Sequence, residues 1–548
     1  MNLAKSTHDS AIGPLYKAAN EPALSYAPGS KERAALQQAL DEQAGTVSDV
    51  PLVINGEHLQ TDRQIRITAP HDHGHQLASA SQADAGHVQS AIEAASRAHA
   101  DWSRWSLQDR AAVFLKAAEL LAGKHRQGIN AATMLGQSKT VYQAEIDAAC
   151  ELIDFLRFNV QFAQELALQH PISAAGVRNM TDYRPLEGFV YAVTPFNFTA
   201  IGGNLAAAPA IMGNTVIWKP AATAALSNYR FMQVLEEAGL PPGVINFIPG
   251  NSSEVSKAVM RSPDFAGLHF TGSTAVFDQL WRQTAENLAQ FKNYPRLVGE
   301  TGGKDFVLAH ASADIDTLAT ALLRGAFEYQ GQKCSAASRA YIPASIWARL
   351  SKRLSEMVAE IKVGDVRDFS CFMGAVIDRK AFDRISGYIA QARETGGAQI
   401  LQGGAVDASK GYFISPTIVR VEDPCHALMQ EEIFGPVLTV YVYEDARWEE
   451  VLKLVDGTSP YALTGAVFAR DRAAVAQAGD MLRFAAGNFY INDKPTGAVV
   501  GQQPFGGARR SGTNDKAGSP LNLLRWVSPR TVKETFCAPV DYRYPHMD

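Results

Sequence analysis

The chain has 548 residues, of which 46% are hydrophobic and 20% are charged, and its formal net charge is −5. This composition is that of a large globular protein and argues against a disordered, collagen-like or coiled-coil chain. The mildly acidic balance gives no support for binding to nucleic acid or to an anionic membrane. The five cysteines include no C-x-x-C pair, which argues against a disulfide framework or a zinc site and favours a reducing compartment. No metal site is predicted.

The first 50 residues are polar and helix-prone (KERAALQQALDEQ), and they predict an N-terminal extension packed on the surface. They contain neither the apolar run of a signal peptide nor the arginine-rich composition of a transit peptide. The expected compartment is therefore the cytoplasm, with the mitochondrial matrix as the alternative for a eukaryotic chain.

Residues 51–80 hold short alternating segments that predict a hairpin, and residues 84–170 have the three- and four-residue apolar spacing of helices. From residue 188 short apolar runs alternate with helical segments; the runs are GFVYAVTP, TVIWKP, VINFIPG and GLHFTG. The helices between them are expected near 200–212, 224–238 and 252–260, with another after Gly272. Repeated β-α-β order predicts a doubly wound, mainly parallel sheet of the dinucleotide-binding kind.

A second alternation runs from about 313 to 500 and predicts a second α/β domain, followed by a strand and tail over 526–548. The predicted division is an N-terminal extension 1–50, a cofactor-binding domain 51–312, a catalytic domain 313–510 and a return segment with tail 511–548.

Residues 188–218 carry no charge and are long enough to cross a membrane. Because Pro195, Asn197 and Pro209 are among the residues that interrupt them, a buried strand, helix and strand is the preferred interpretation.

Two local patterns suggest reactive side chains. Glycine before Cys334, in Gly331–Ser335, permits a turn that presents a thiol at the start of a following helix, where the thiolate would be stabilised. A buried structural cysteine is the alternative, and the other four cysteines are assigned no role. Glycines on both sides of Glu300 leave room beside a carboxylate that could act as a general base, although a solvated turn also fits.

The run Phe270–Ser273 ends one strand and begins a helix whose amides could hold a pyrophosphate, but the G-x-G-x-x-G pattern is absent. Each pattern is weak alone, and their order along the chain is far more specific. In sequence they are Thr194–Phe198 (TPFNF), Trp218–Pro220 (WKP), Phe270–Ser273 (FTGS), Gly299–Lys304 (GETGGK), Gly331–Cys334 (GQKC) and Glu431–Pro436 (EEIFGP). This series resembles the NAD(P)-dependent aldehyde dehydrogenase superfamily over about residues 50–530.

Three further features resemble the branch of that superfamily that oxidises L-glutamate γ-semialdehyde. They are the long N-terminal extension, the run ETGGKDF at 300–306 and the run GQQPFGGARRSGTND at 501–515. The resemblance implies an α/β fold with two doubly wound parallel-sheet domains and an oligomerisation flap. It also implies NAD-dependent oxidation of the semialdehyde, which arises from 1-pyrroline-5-carboxylate, to L-glutamate in proline catabolism.

The resemblance assigns three catalytic residues. Cys334 is the expected nucleophile, which forms a thiohemiacetal and then a thioester. Asn197 is expected to donate to the developing oxyanion beside the Cys334 backbone amide, and Glu300 to activate the water that releases the acid.

The resemblance also implies the binding residues. The expected cofactor contacts are Thr194, Pro195, Phe196, Lys219, Gly272, Ser273, Glu432 and Phe434. The expected substrate contacts are Ser335, Gly497 and Ala498 for the carboxylate, Glu151 for the amino group, and Phe505 and Phe198 around the stem; an exposed helix face is the alternative for Glu151. Ala222 occupies a position where many NAD-preferring relatives carry an acid, so no residue here selects NAD over NADP.

A homodimer or higher homo-oligomer is expected, built from residues 526–548 together with a hairpin near 172–187. No proline dehydrogenase domain fits within this chain, so an enzyme that supplies the substrate would be a separate protein. Two other interpretations stay open: an aldehyde dehydrogenase with a different substrate, and a catalytically silent relative that serves as a binding or structural protein. The presence of Cys334, Glu300 and Asn197 together argues against the silent relative.

Overall fold

The predicted alternation of strands and helices is present in the computed structural model, which describes residues 15–394 and 396–547. Two seven-stranded sheets form its centre, so the predicted α/β class with two mainly parallel sheets is confirmed. The hydrophobic core lies on both faces of each sheet, which explains why most of the strands are short, continuous apolar runs.

The first sheet has the spatial order Arg296–Glu300, Phe265–Thr271, Phe189–Val193, Thr215–Lys219, Ile245–Phe247, Leu52–Ile54 and Glu57–Leu59. The first five strands are parallel, and the last two form the predicted antiparallel hairpin. The helices of this half are Ala85–Trp102, Thr199–Ile211, Ala225–Ala238, Ser252–Val259 and Thr274–Glu286. The uncharged stretch is therefore a buried strand, helix and strand, and no helix in the described ranges is long and apolar enough to cross a membrane.

The second sheet has the order Ala398–Gln402, Thr417–Val421, Val437–Tyr443, Ala337–Pro343, Asp305–Ala309, Thr464–Phe468 and Asn488–Ile491. Its strands are parallel except at the edge strand Ala398–Gln402. The helices of this half are Ile315–Phe327, Ala344–Ala359, Arg379–Glu394, Trp448–Gly457 and Arg472–Met481.

The strand Asp305–Ala309 corrects the predicted boundary at residue 313. It lies inside the segment assigned to the first domain, yet it pairs with Ala337–Pro343 and Thr464–Phe468 in the second sheet. Only a short turn separates it from Arg296–Glu300 in the first sheet, so the sequence shows no helix to mark the change. The chain passes from one sheet to the other between Glu300 and Asp305.

The described part of the N-terminal extension packs on the first half of the molecule and contributes residues to its core. Its helix Lys31–Ala44 buries Leu36 and Leu40, and Tyr26 before it is 4% exposed. These residues pack on a helical layer that belongs to the first half. That layer consists of Leu107–Ala122, Arg126–Gln137, Val141–Ala144, the π-helical turn Glu145–Cys150 and Glu151–Ala167.

The predicted hairpin near 172–187 is instead one strand, Val177–Pro185, whose antiparallel partner is the C-terminal strand Val527–Thr535. A three-stranded sheet joins Ser48–Val50, Asp72–Ser81 and Gln64–Ala69. The small remaining pairs are Val406–Asp407 with Phe413–Ile414 and Tyr461–Ala462 with Ala508–Arg509. Single-turn helices are Ala222–Ala224, Leu288–Gln290, Glu328–Gly331, Ala427–Gln430, Asp445–Arg447, Pro520–Leu523, Leu524–Trp526 and Pro545–Met547.

Candidate active site

Strand ends of the first sheet bring the sequence-predicted residues to one edge. Asn197 follows the strand Phe189–Val193, Lys219 and Glu300 end their own strands, and Gly272 follows Thr271. Because the carboxyl ends of parallel strands meet at one edge, residues far apart in sequence become neighbours. Cys334 approaches this edge from the segment that leads into the second sheet.

The Cys334 turn contains three consecutive residues in the left-handed region: Tyr329 (φ 50°), Gln330 (φ 55°) and Gly331 (φ 65°). The buried Gln330 amide holds this turn, since it donates to the carbonyls of Ser138 at 3.0 Å and Ala375 at 2.7 Å. Positive φ at residues other than glycine is costly and is often found where a reactive group is held in place.

The segment after Cys334 corrects a second prediction. The chain enters the strand Ala337–Pro343, so no helix begins at the cysteine and no helix N-terminus stabilises its thiolate. Burial, together with the nearby Asp305 and Glu300 carboxyls, raises the pKa of the Cys334 thiol well above its ordinary value. A nucleophilic role for Cys334 therefore requires that its thiol first lose its proton.

Two candidate donors for an oxyanion lie at the Cys334 turn. The Asn197 amide donates one hydrogen bond to the Gln332 carbonyl at 3.0 Å, which fixes its orientation and leaves its second hydrogen available. Within residues 15–394 and 396–547, the Cys334 backbone amide makes no hydrogen bond. The two donors can therefore converge on an oxygen that develops negative charge.

The Glu300 carboxyl is the candidate base. Its Oε1 accepts from the Gly507 amide at 3.3 Å, while Oε2 is buried and has no hydrogen-bond partner in the described part of the chain. Burial is the main reason that the pKa of Glu300 is raised well above its usual range. A carboxylate with a raised pKa is a stronger base than an ordinary glutamate, as general-base catalysis near neutral pH requires.

One cavity of about 760 Å³ unites the Cys334 thiol and the Glu300 carboxyl with the expected substrate contacts. Its walls include Cys334 and Glu300 together with Glu151, Phe198, Ser335, Gly497, Ala498 and Phe505. The Ser335 and Thr496 hydroxyls are 2.8 Å apart. Gly497 has φ 95°, and among the described residues neither its backbone amide nor that of Ala498 donates a hydrogen bond. Two free amides and a hydroxyl form a suitable anchor for a carboxylate.

Glu151 begins the helix Glu151–Ala167, directly after the π-helical turn, and it faces this cavity rather than solvent. Burial and the neighbouring Asp147 raise the pKa of the Glu151 carboxyl well above its ordinary value. The alternative of an exposed helix face is therefore wrong, because the helix lies between the cavity and the N-terminal extension. Departures of this π-helical kind are common at functional sites.

A network of charges at the cavity, buried except for the half-buried Lys494, was not predicted from the sequence. Lys333 lies 3.5 Å from Asp147 and 3.9 Å from Glu328, and Lys494 lies 3.7 Å from Glu328. Lys139 donates to Asp147 at 2.5 Å and stands over the ring of Phe198. The sequence offered only one clue, a lysine directly before the cysteine, and nothing in it joined the five charged residues.

The cofactor residues line a separate part of the edge. The Lys219 ammonium is buried and donates to Ser252 at 2.5 Å, and burial lowers the pKa of Lys219 to about 8. Glu432 accepts from the Gly303 amide at 2.9 Å, in space that a side chain at Gly302 would fill. Lys219 forms no ion pair with a carboxylate in the part of the chain that the structure describes, and Glu432 lies beside a glycine turn. This donor and this acceptor suit ribose hydroxyls.

The remaining predicted cofactor residues lie around two aromatic rings and at the start of a helix. The rings of Phe196 and Phe434 meet edge to face at 5.9 Å, and Thr194 accepts from the Trp218 indole at 3.1 Å, with Pro195 between Thr194 and Phe196. Ser273 caps the helix Thr274–Glu286 directly after Gly272, which directs free amides at the predicted pyrophosphate position. These residues fit a dinucleotide: an apolar slot, a helix N-terminus and polar groups for the sugars.

The comparisons with known proteins agree with this geometry. The profile of the Aldehyde dehydrogenase family matches residues 58–532. Delta-1-pyrroline-5-carboxylate dehydrogenase of Dictyostelium discoideum is 53% identical over 96% of this chain and 95% of its own length. The human mitochondrial enzyme of the same name is 52% identical over 97% of this chain and 94% of its own.

Solved structures give the same result. The Delta-pyrroline-5-carboxylate dehydrogenase from Mycobacterium tuberculosis bound with NAD is 55% identical and has a TM-score of 0.95. The match covers 98% of this chain and all of that chain. The Thermus enzyme with bound NAD has a TM-score of 0.89 at 31% identity, with 96% of this chain and all of that chain covered. The chain belongs to the aldehyde dehydrogenase family.

Proposed function

We propose that this protein is an NAD-dependent dehydrogenase that oxidises L-glutamate γ-semialdehyde to L-glutamate in proline catabolism. The observation that carries the proposal is the single cavity in which the Cys334 thiol, the Glu300 carboxyl and the free amides of Gly497 and Ala498 meet. The names of the relatives that are about half identical over nearly the full chain support it.

The reaction begins when the Cys334 thiol loses its proton to water, which accounts for the one proton that the oxidation releases overall. The thiolate attacks the aldehyde carbon and forms a thiohemiacetal, whose oxyanion is held by the Asn197 amide and the Cys334 backbone N–H. NAD, when bound, supplies the oxidant, since it accepts a hydride. Glu300 then removes a proton from water as that water attacks the resulting thioester, and the carboxylic acid leaves while the thiol is restored.

The charges of the cavity suit an amino acid aldehyde. Ser335 and the amides of Gly497 and Ala498 bind the α-carboxylate, with Lys333 and Lys494 adding positive potential, while Glu151 faces the α-amino group. A plain aldehyde would leave these groups unpaired, at a cost of roughly 1–3 kcal/mol each. Each ~1.4 kcal/mol is tenfold in rate, so discrimination should reach several orders of magnitude.

A panel of aldehydes with NAD, measured by the absorbance of the reduced cofactor, tests this. The semialdehyde should be oxidised far more efficiently than propanal or hexanal, and glutamate should inhibit competitively. Ser335→Ala should raise KM for the semialdehyde and spare hexanal, while Ser351→Ala, on the outer helix Ala344–Ala359, should change neither. If hexanal is oxidised as efficiently as the semialdehyde, the protein is an aldehyde dehydrogenase with a different substrate. If no aldehyde is oxidised, the result favours a catalytically silent relative.

NAD rather than NADP is proposed because solved relatives contain NAD. The chain itself gives no acidic residue for this choice, since Ala222 follows Lys219 in the short turn Ala222–Ala224. Initial rates with each cofactor decide it.

We also infer a homodimer or higher oligomer whose contact includes the ribbon of Val177–Pro185 and Val527–Thr535. Its outer edges are exposed, and exposed apolar residues follow it, among them Phe536, Val540 and Tyr542. Removal of residues 526–548 should give a monomer by light scattering.

The proposed location is a reducing compartment, either the cytoplasm or the mitochondrial matrix. A separate proline dehydrogenase would supply the substrate.

A further inference from the structure

The N-terminal strap, residues 16–26, runs along the helix Glu151–Ala167 and reaches the substrate cavity. Side chains on one face of the helix accept from its backbone: Gln164 from Tyr16 at 2.8 Å, Gln161 from Ala18 at 2.8 Å and Asp154 from Glu21 at 2.7 Å. Ion pairs of Glu21 with Arg126 and Arg157 add to these bonds. The strap therefore has a fixed register on this helix.

Asn20 is the point at which the strap joins two separate walls of the cavity. Its side-chain amide donates to Asp154 at 2.8 Å and to the Val500 carbonyl at 2.8 Å, and its oxygen accepts from Gln502 at 2.9 Å. Asp154 lies one turn after Glu151 on the same helix. Val500 and Gln502 belong to the anchor loop, residues 496–503, which also carries Gly497 and Ala498.

The two joined walls are those that would recognise the two ends of the amino acid head. The Glu151 wall faces the α-amino group and the anchor loop faces the α-carboxylate. Their separation must match one small molecule, and a shift of about 1 Å can cost on the order of 100-fold. Gly501 also lies against Phe158 of the same helix. Apolar contact of that kind has little directional preference, whereas the hydrogen bonds of Asn20 have the direction needed to fix a distance.

We propose that Asn20 is a positioning residue that sets the separation of Glu151 from the anchor loop, and that the N-terminal strap thereby contributes to the selection of α-amino acid aldehydes. This rests on the proposed function, because it assumes that the amino acid head lies between these two walls. Asn20 takes no part in the chemistry at Cys334.

The test is steady-state kinetics of Asn20→Ala with L-glutamate γ-semialdehyde and with hexanal. KM for the semialdehyde should rise about 10- to 100-fold, with kcat within about threefold, and inhibition by glutamate should weaken by the same factor. KM for hexanal and for NAD should not change, since neither molecule uses both walls. A parallel loss with hexanal would mean general disruption and would overturn the proposal.

Two further variants separate positioning from tethering. Gln161→Ala removes the bond to Ala18 on the same strap and helix but leaves all three bonds of Asn20, so KM should stay at the wild-type value. Gln502→Ala, at an exposed position, cuts the bridge from the loop side and should raise KM for the semialdehyde even if Asn20→Ala folds poorly. The double variant Asn20→Ala with Gln502→Ala should be less than additive.

The results distinguish this inference from the proposed function. If the wild-type protein does not prefer the semialdehyde to hexanal, the proposed function fails. If it does, and neither Asn20→Ala nor Gln502→Ala changes KM, only the positioning role is overturned. An equal rise of KM in Gln161→Ala would assign the effect to strap attachment in general and would also overturn it.

Discussion

The cofactor half and the aldehyde half of the candidate site are lined by different kinds of chemical group. On the cofactor side the buried Lys219 ammonium stands beside a hydroxyl, and the other contacts are rings, a helix N-terminus and the Glu432 carboxylate. On the aldehyde side buried charges are coupled to each other, as in Lys333 with Asp147 and Glu328. The first half suits a large ligand with many weak contacts, and the second suits a small ligand that itself carries charges.

The two halves also differ in how far apart in the sequence their residues lie. The cofactor residues of the first sheet lie at or just beyond strand ends, and Glu432 and Phe434 lie between the turn Ala427–Gln430 and the strand Val437–Tyr443, so short local motifs specify them. The aldehyde cavity draws on the strap, the helix Glu151–Ala167, the Cys334 turn and the anchor loop, which are separated by hundreds of residues. Substitutions should therefore act on one half at a time.

Cys334→Ala should separate the halves most strongly. Loss of the nucleophile should lower kcat by at least about 10⁴-fold, while the Kd for NAD, measured by calorimetry, stays unchanged. Cys425→Ala, at an exposed cysteine, is the matched control and should keep full activity. Substantial turnover by a folded Cys334→Ala protein would refute the assignment of the nucleophile.

Glu300→Gln should slow the hydrolysis step by about 10²- to 10⁴-fold and leave a rapid burst of reduced cofactor. In the wild-type protein the base is the ionised carboxylate, whose pKa is raised by burial. Hydrolysis should thus fall as pH drops through that raised pKa, and the variant should lose this acid limb. Stopped-flow absorbance across pH measures both, and disappearance of the burst would assign Glu300 to an earlier step.

Lys219→Met should act on the cofactor half alone. Hydrogen bonds from a charged donor contribute about 1.5–3 kcal/mol, so KM for NAD should rise roughly 10- to 100-fold while inhibition by glutamate stays the same. Because the pKa of Lys219 is about 8, the wild-type KM for NAD should rise as pH increases through that value and the ammonium is lost. Lys257→Met, at an exposed position on the nearby helix, is the control. Weaker inhibition by glutamate in Lys219→Met would contradict the separation of the cofactor half from the aldehyde half.

Asp305→Asn should give the smallest effect, on stability. Burial raises the pKa of Asp305 from 3.8 to about 8, and its Oδ1 accepts from the Thr464 amide at 2.6 Å. The folded protein then retains a proton that the unfolded chain releases, so this carboxyl lowers stability progressively as pH rises from about 4 to 8. Asparagine keeps the acceptor and cannot ionise, so Tm should decline less between pH 5 and pH 8, by on the order of a degree; an unchanged decline would count against the raised pKa.

Local sequence determined the strands, the helices and the order of the motifs. The apolar runs and helix spacings correspond to observed elements, and motifs at strand ends converge because parallel strands direct their carboxyl ends to one edge. The identity of Cys334, Glu300 and Asn197 as candidates needed only these short patterns and the family resemblance.

Tertiary structure alone decided the rest. The strand Asp305–Ala309 joined the second sheet because its partners, Ala337–Pro343 and Thr464–Phe468, come later in the chain. The charge network of Lys333 and Lys494, and the bridge that Asn20 makes to Val500, depend on contacts between residues up to 480 positions apart. Such contacts leave no periodic trace in a single sequence, because neither partner taken alone indicates which distant residue it will contact.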